Sequence, residues 1–324
     1  MKKLICVVLS LLMTVSLFAG CDSGKSDDTY KVAIVLQMDH PSLEEISNAV
    51  QAELDKIAAE KNIKIEYKEY NGQNDTTVLS QIGAQVIAGG YDAIVPIATT
   101  AATSMVAAAD GYDIPIIYAA ISDPEGSGLT GLENVTGTSD ALNTAFILNM
   151  MLTADPEIKT VGLLYSNSEI NSETPIAEAK AYLEAKGIAF LEKTGNTAGE
   201  VISAASDLVG RVDAVFTPTD NVIMAAEASV AEILNEAGIP HYTGADSFVL
   251  SGAFTTCGVN YTELGTKTAQ IAVSILAGGQ IGEFTVMDGG IITVNTETAA
   301  ALNLDYSVFS SMANTIVEVV TAEE

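Results

Sequence analysis

DAVFTPTDN, residues 213–221, reads as a second writing of DAIVPIATT, residues 92–100, about 121 residues upstream. Each begins Asp-Ala, runs through apolar residues too few for a helix, and closes on hydroxyl, carboxyl or amide side chains. A short apolar run bounded by polar residues is the pattern of a strand buried on both faces of a parallel sheet. Two further pairs keep the same order. TVGLLYS (160–166) answers KVAIVLQ (31–37), and IPHYTGA (239–245) answers IPIIYAA (114–120), at offsets of about 129 and 125 residues. One such pair could be a coincidence between buried strands, whereas three in order predict one lobe copied with small insertions.

Amphipathic stretches separate these runs. Residues 42–61 place Leu43, Ile46, Val50, Leu54 and Ile57 on one helical face, and residues 261–277 do the same with Leu264, Ile271, Ile275 and Leu276. Apolar strands alternating with such helices predict an α/β fold of two doubly wound parallel-sheet lobes. The 324 residues fit two cores better than one. The segments after the second copy, GAFTTCGV, the helix from 261 and GGIITVN, exceed the needs of one lobe. They are expected to return to the first lobe and cross back, making a multi-strand hinge. The expected lobes are 31–139 with about 252–283, and 140–251 with about 284–324.

The N-terminus has Lys2 and Lys3, an apolar run over residues 4–18, and Ala19-Gly20 before Cys21. This is the layout of a secretory signal over residues 1–20. Phe18-Ala19-Gly20-Cys21 resembles a bacterial lipoprotein signal, which implies a lipid on Cys21 and a polar tether over 21–30; ordinary cleavage with a free Cys21 is the alternative. Cys6 leaves with the signal and Cys257 lies in an apolar strand as a small core residue, so no disulfide framework is expected. The net charge of −28 repels nucleic acid and anionic lipid heads, so membrane attachment would come by the lipid anchor only.

In open α/β sheets ligands bind beyond the carboxyl ends of the strands. The expected ligand-binding residues are therefore Gln37, Thr99, Thr100, Ser122, Ser168, Glu169, Asn171, Ser172, Thr219, Asp220, Asn221 and Asp246. Asp39, His40, Asp123 and Ser247 lie beside them, with His40 read as shaping its loop before Pro41. Several are N-capping types, and capping alone accounts for Thr100, Ser172 and Asp220. The only arginine, Arg211, and the lysines lie away from these strand ends, which disfavours a phosphate or dianion. A neutral or zwitterionic ligand fits better, with helix N-terminal amides and hydroxyls holding a carboxylate and Asp220 or Asp246 balancing an ammonium. Two histidines, His40 and His241, give no metal cluster and no activated nucleophile, so neither metal nor cofactor nor catalysis is expected. Gly126, Gly128 and Gly131 satisfy G-x-G-x-x-G, but Pro124 and a following loop deny them the strand–turn–helix setting of a dinucleotide site.

DHPSLEEI, NGQND, IATTAAT, SDPEGSGL, NVTGTSD, YSNSEINS, TPTDN and NYTELG, spread from about Lys31 to Leu304, resemble the ordered motifs of the ABC transporter substrate-binding family whose better-known members take up tryptophan and related aromatic amino acids. Asp39 stands where that family commonly has Glu, and Ser122 where it has Thr. The resemblance implies a type I periplasmic-binding-protein fold, with ligand contacts at Thr99 and Thr100, at 168–172, at 219–221 and around Asp246. It also implies a monomeric lipoprotein on the extracytoplasmic face of the cell membrane, serving permease and ATPase subunits and binding an aromatic amino acid such as tryptophan. A sugar or nucleoside binder on the same fold is the alternative; an extracytoplasmic enzyme or receptor ectodomain is a more distant one.

Overall fold

The computed structural model describes residues 29–313 and 315–322. The signal segment, Cys21 and the tether up to residue 28 lie outside the described residues. The first lobe opens with β1 (Thr29–Leu36), whose residues from Val32 to Leu36 are all buried. It continues through α1 (Pro41–Lys61), β2 (Lys64–Asn71), α2 (Thr76–Gly89), β3 (Ala93–Ile97), α3 (Thr99–Ala108), β4 (Ile116–Tyr118) and β5 (Val135–Ser139). The second lobe repeats the series with α4 (Thr144–Ala154), β6 (Thr160–Tyr165), α5 (Glu173–Lys186), β7 (Ala189–Thr194), α6 (Ala198–Leu208), β8 (Ala214–Thr217), α7 (Asn221–Met224), α8 (Glu227–Glu236), β9 (His241–Thr243), α9 (Asp246–Leu250) and β10 (Thr255–Gly258). A 3-10 turn, Ile170–Ser172, leads into α5.

The two sheets have one strand order, β2-β1-β3-β4-β5 and β7-β6-β8-β9-β10, all parallel within these runs. Each is a doubly wound sheet whose winding reverses between its first and third strands, the place where such sheets bind ligands. The shared Asp-Ala opening also has a common structural role. Asp92 Oδ2 accepts the Lys31 N–H at 2.7 Å, and Asp213 Oδ2 accepts the N–H groups of Lys159 and Thr160 at 2.8 Å. In both lobes the aspartate pins the start of the central strand to its neighbour, and both pairs are central to the sheet order.

After β10 the chain returns to the first lobe as α10 (Tyr261–Leu276), which lies along α1. Gly265 permits that approach, since a Cβ there would stand 2.5 Å from the Ile46 carbonyl oxygen. β11 (Thr285–Val286) then pairs with β5, and the chain crosses again to β12 (Ile291–Asn295), α11 (Thr296–Ala301) and β13 (Thr315–Val319) of the second sheet. The three crossings fall at about residues 140–143, 259–260 and 287–290. Two boundaries differ from expectation: β10 extends the second sheet through β9 and β12, so the return begins near 259 rather than 252, and β11 keeps 285–286 in the first lobe rather than the second. Apolar strands of similar composition do not disclose which sheet edge they will join. The glycine motif at 126–131 is loop, as its proline and flanking residues imply.

Candidate functional site

The loops beyond β1, β3 and β4 face those beyond β6, β8 and β9, and the hinge residues Asp140 and Tyr261 close one side. Between them lies a narrow cleft, part of it open to solvent. His40, Ser42, Leu43, Ala98, Thr99, Ala120 and Ser122 line it from the first lobe. Asn171, Thr219, Asp220, Asn221, Met224, Ala245 and Phe248 line it from the second. No Lys or Arg is among the lining residues.

The jaws touch. Ser122 Oγ and Thr219 Oγ1 are 2.9 Å apart, Ser42 Oγ donates to Ser247 Oγ at 2.5 Å, and Thr174 Oγ1 donates to Asp123 Oδ2 at 2.6 Å. Gln37 Nε2 donates to Glu169 Oε1 at 2.7 Å, and Glu169 Oε2 accepts the Asn221 Nδ2–H at 2.6 Å. Asn221 Oδ1 lies 2.9 Å from His40 Nε2. With the Asn221 amide nitrogen spent on Glu169, its oxygen accepts from the His40 ring. The lobes are therefore in a closed arrangement.

The twelve expected residues separate into groups. Thr99, Ser122, Asn171, Thr219, Asp220 and Asn221 line the cavity. Gln37 and Glu169 bind each other across the jaws, and the Thr100 N–H donates to Gln37 Oε1 at 3.1 Å. Ser168 is exposed and bonded to Ser166; Ser172 is buried behind the cavity and donates to Asp220 Oδ2 at 2.7 Å. Asp246 lines a separate groove with Leu250, Thr256 and Thr293.

Asp220 differs from the role of ammonium partner that its chemistry first suggests. Its Oδ1 accepts the N–H groups of Val222 and Ile223 at 3.1 and 3.0 Å, and its Oδ2 accepts the Ser166 N–H and the Ser172 hydroxyl, both at 2.7 Å. Four donors fill a carboxylate with about four lone-pair sites, so this side chain caps α7 and ties the loop after β6 to the loop after β8. Gly244 holds the third loop close, because a Cβ there would lie 2.5 Å from the Thr219 nitrogen.

Asp140, Tyr261, His40, Ser42, Met224 and Phe248 enter the cavity wall without having been singled out as ligand contacts. Asp140 directly follows β5, so its position at a strand end was an available signal; Tyr261 arrives by the return crossing, and its only signal was its place in the motif NYTELG. Asp140 receives hydrogen bonds from Ser122 Oγ at 3.0 Å and Tyr261 Oη at 3.1 Å. Burial raises its carboxyl above the ordinary range. Burial and then the neighbouring Asp220 charge push Glu169 to about 7, while burial lowers His40 and so favours its neutral ring.

Two α/β lobes of one winding, hinged by three crossings and closed over a buried polar cleft, define a two-lobed small-molecule binding protein of the type I periplasmic-binding-protein fold. The chain matches the family described as ABC transporter substrate binding protein over residues 31–314, and it belongs to that family. The tyrosine-binding protein of Clostridioides difficile (strain R20291) is 32% identical, with 94% of this chain and 93% of that protein covered. An ABC domain from Streptococcus pneumonia, solved in complex with L-Trp, is 28% identical with a TM-score of 0.82, covering 90% of this chain and 100% of that one. The ligand-free, open structure of a substrate-binding protein with adhesive properties from Clostridium difficile is 30% identical with a TM-score of 0.68 at the same coverage. The lower score at slightly higher identity accords with the closed jaws described above. The family binds substrate extracytoplasmically and does not transform it.

Proposed function

We propose that this chain is the lipid-anchored solute-binding component of an ABC importer and that it closes around an aromatic amino acid, tyrosine or tryptophan. The observation that carries the reading is the cleft itself: apolar Leu43, Met224 and Phe248 face buried polar groups, with no fixed cation on the lining. A dianion would meet only anionic and neutral walls there, whereas a zwitterion with a flat apolar side chain finds a surface for each part. Its carboxylate suits the start of α3, where Ala98 offers no capping side chain, Gln37 Oε1 takes the Thr100 N–H, and the Thr99 hydroxyl adds a donor. The names of the tyrosine-binding relative and the L-Trp complex supply the ring.

In this reading the ligand adds contacts to both jaws and favours the closed state, whose outer surface the permease recognises and whose ligand the ATPase-driven cycle then releases inward. The protein works as a monomer held at the membrane by a diacylglyceryl Cys21. Mass spectrometry of protein from its native membrane should find that modification, and an unmodified Cys21 would refute the anchor. For the ligand, a thermal-shift screen of amino acids, sugars and nucleosides is decisive. Ligand at a hundred times Kd stabilises the folded protein by about 2.7 kcal/mol, so tyrosine or tryptophan should raise Tm by about 5 °C or more. A sugar or nucleoside giving the larger shift would overturn the assignment.

A further inference from the structure

We propose that the cleft contains a dedicated ammonium seat built from His40 Nδ1, Asn171 Oδ1 and the Asp140 carboxylate. This rests on the reading of the cleft as an amino-acid site and names the groups that hold one end of the ligand. His40 is 7% exposed and Asn171 4% exposed, both line the cleft, and His40 Nδ1 and Asn171 Oδ1 are buried with no hydrogen-bond partner. Buried polar atoms without partners are rare and costly, so two lining one cavity, one from each jaw, point to a missing group.

The chemistry of that group follows from the neighbours. His40 Nε2 donates to Asn221, so in the neutral ring favoured by burial Nδ1 is an acceptor. The Asn171 amide is oriented by its Nδ2–H, which donates to the Thr219 carbonyl at 2.7 Å. Its oxygen is therefore an acceptor as well. The Ser122 hydroxyl hydrogen goes to Asp140, which leaves Thr219 Oγ1 to donate to Ser122, and Tyr261 gives its hydrogen to the other oxygen of Asp140. Asp140 retains lone pairs, and its charged form, which burial disfavours, has no cation beside it.

These groups are linked in space through Ser122, Thr219 and Asn221, and they present acceptors whose nearest donors are already spent. An ammonium answers all of it: three N–H donors and one positive charge. A carboxylate would be repelled, and a sugar hydroxyl brings one donor and no charge.

Isothermal titration of the full chain with two probe series tests this: L-tyrosine, tyramine and 3-(4-hydroxyphenyl)propanoate, and L-tryptophan, tryptamine and 3-(indol-3-yl)propanoate. The propanoates, which keep the carboxylate but lack the ammonium, should bind more weakly than the amino acids by at least about tenfold. Asn171→Leu should weaken the amino acid and its amine by a similar factor, about tenfold or more. Should that variant fail to fold, Asp140→Asn provides the same comparison. A propanoate that binds as tightly as its amino acid would overturn the seat while leaving the amino-acid reading intact. Amines that bind in the absence of amino-acid binding would support the seat and overturn that reading. If neither series binds, both fail.

Discussion

The two jaws share one winding and differ at their tips. DAIVPIATT and DAVFTPTDN keep the aspartate that pins the central strand, but they end in opposite ways. In the first jaw Ala98 takes φ 73° and ψ 162°, and α3 begins without a side-chain cap. Ala120, at the end of β4, also has a positive φ of 56°. In the second jaw Asp220 caps its helix and gathers Ser166 and Ser172 as well. One jaw thus starts its helix on a strained backbone, with the Thr100 N–H taken by Gln37 rather than by a capping residue. The other consumes its donors internally and leaves acceptors such as Asn171 Oδ1. A duplicated lobe supplies two similar frames; divergence at the loops makes them complementary to a ligand with unlike ends.

The largest effect expected from this contrast is on stability. Asp220→Ala removes a cap and leaves the Ser166 N–H and the Ser172 hydroxyl buried without an acceptor. The sum of a lost cap and buried orphaned donors is about 3 kcal/mol. Urea unfolding should show that loss in the absence of ligand. A variant with unchanged stability and weakened binding alone would make Asp220 a ligand contact and erase the distinction between the jaws.

Ala98→Gly probes the strained side with a smaller effect of opposite sign. The φ/ψ region that Ala98 occupies is nearly exclusive to glycine and costs other residues about 1–3 kcal/mol. Glycine gives back about 0.5–1 kcal/mol through its greater freedom when unfolded. The variant should be stabilised by about 1 kcal/mol net, a rise of a few degrees in Tm. A destabilised variant would mean that the alanine methyl contributes more by packing than its backbone costs, and that strain is no property of this jaw.

The same contrast explains what the sequence discloses. Fully buried strands are written as unbroken apolar runs, and three repeated runs in order are enough to read two lobes and their facing rims. The direction in which a rim side chain turns is set by contacts distant in the chain. Asp220 is committed by Ser166 and Ser172, about fifty residues away, and Glu169 by Gln37 on the other lobe. Tyr261 reaches the cavity because α10 crosses back between lobes, a placement that no local pattern encodes. Ala98 and Ala120 carry no signal at all, since alanine does not announce a positive φ.

Asp246 gives the finest test, because it is a rim carboxylate by sequence and turns away from the cleft. Burial, and secondarily the charge of Glu45, push its pKa up to about 6 from an ordinary 3.8. A carboxyl raised in the folded state costs nothing below its unfolded pKa, and its penalty grows until pH passes the folded value. Wild-type protein should therefore lose stability relative to Asp246→Asn as pH rises from about 4 to about 6, with no further divergence above that. Urea midpoints at pH 4 and pH 7 measure the difference: near coincidence at the lower pH, and the variant more stable at the higher. Ligand affinity at pH 7 should stay within about twofold, since uncoupled sites of this kind contribute additively. A tenfold loss of affinity would place Asp246 at the ligand after all, with the second jaw then offering an anion to the cleft.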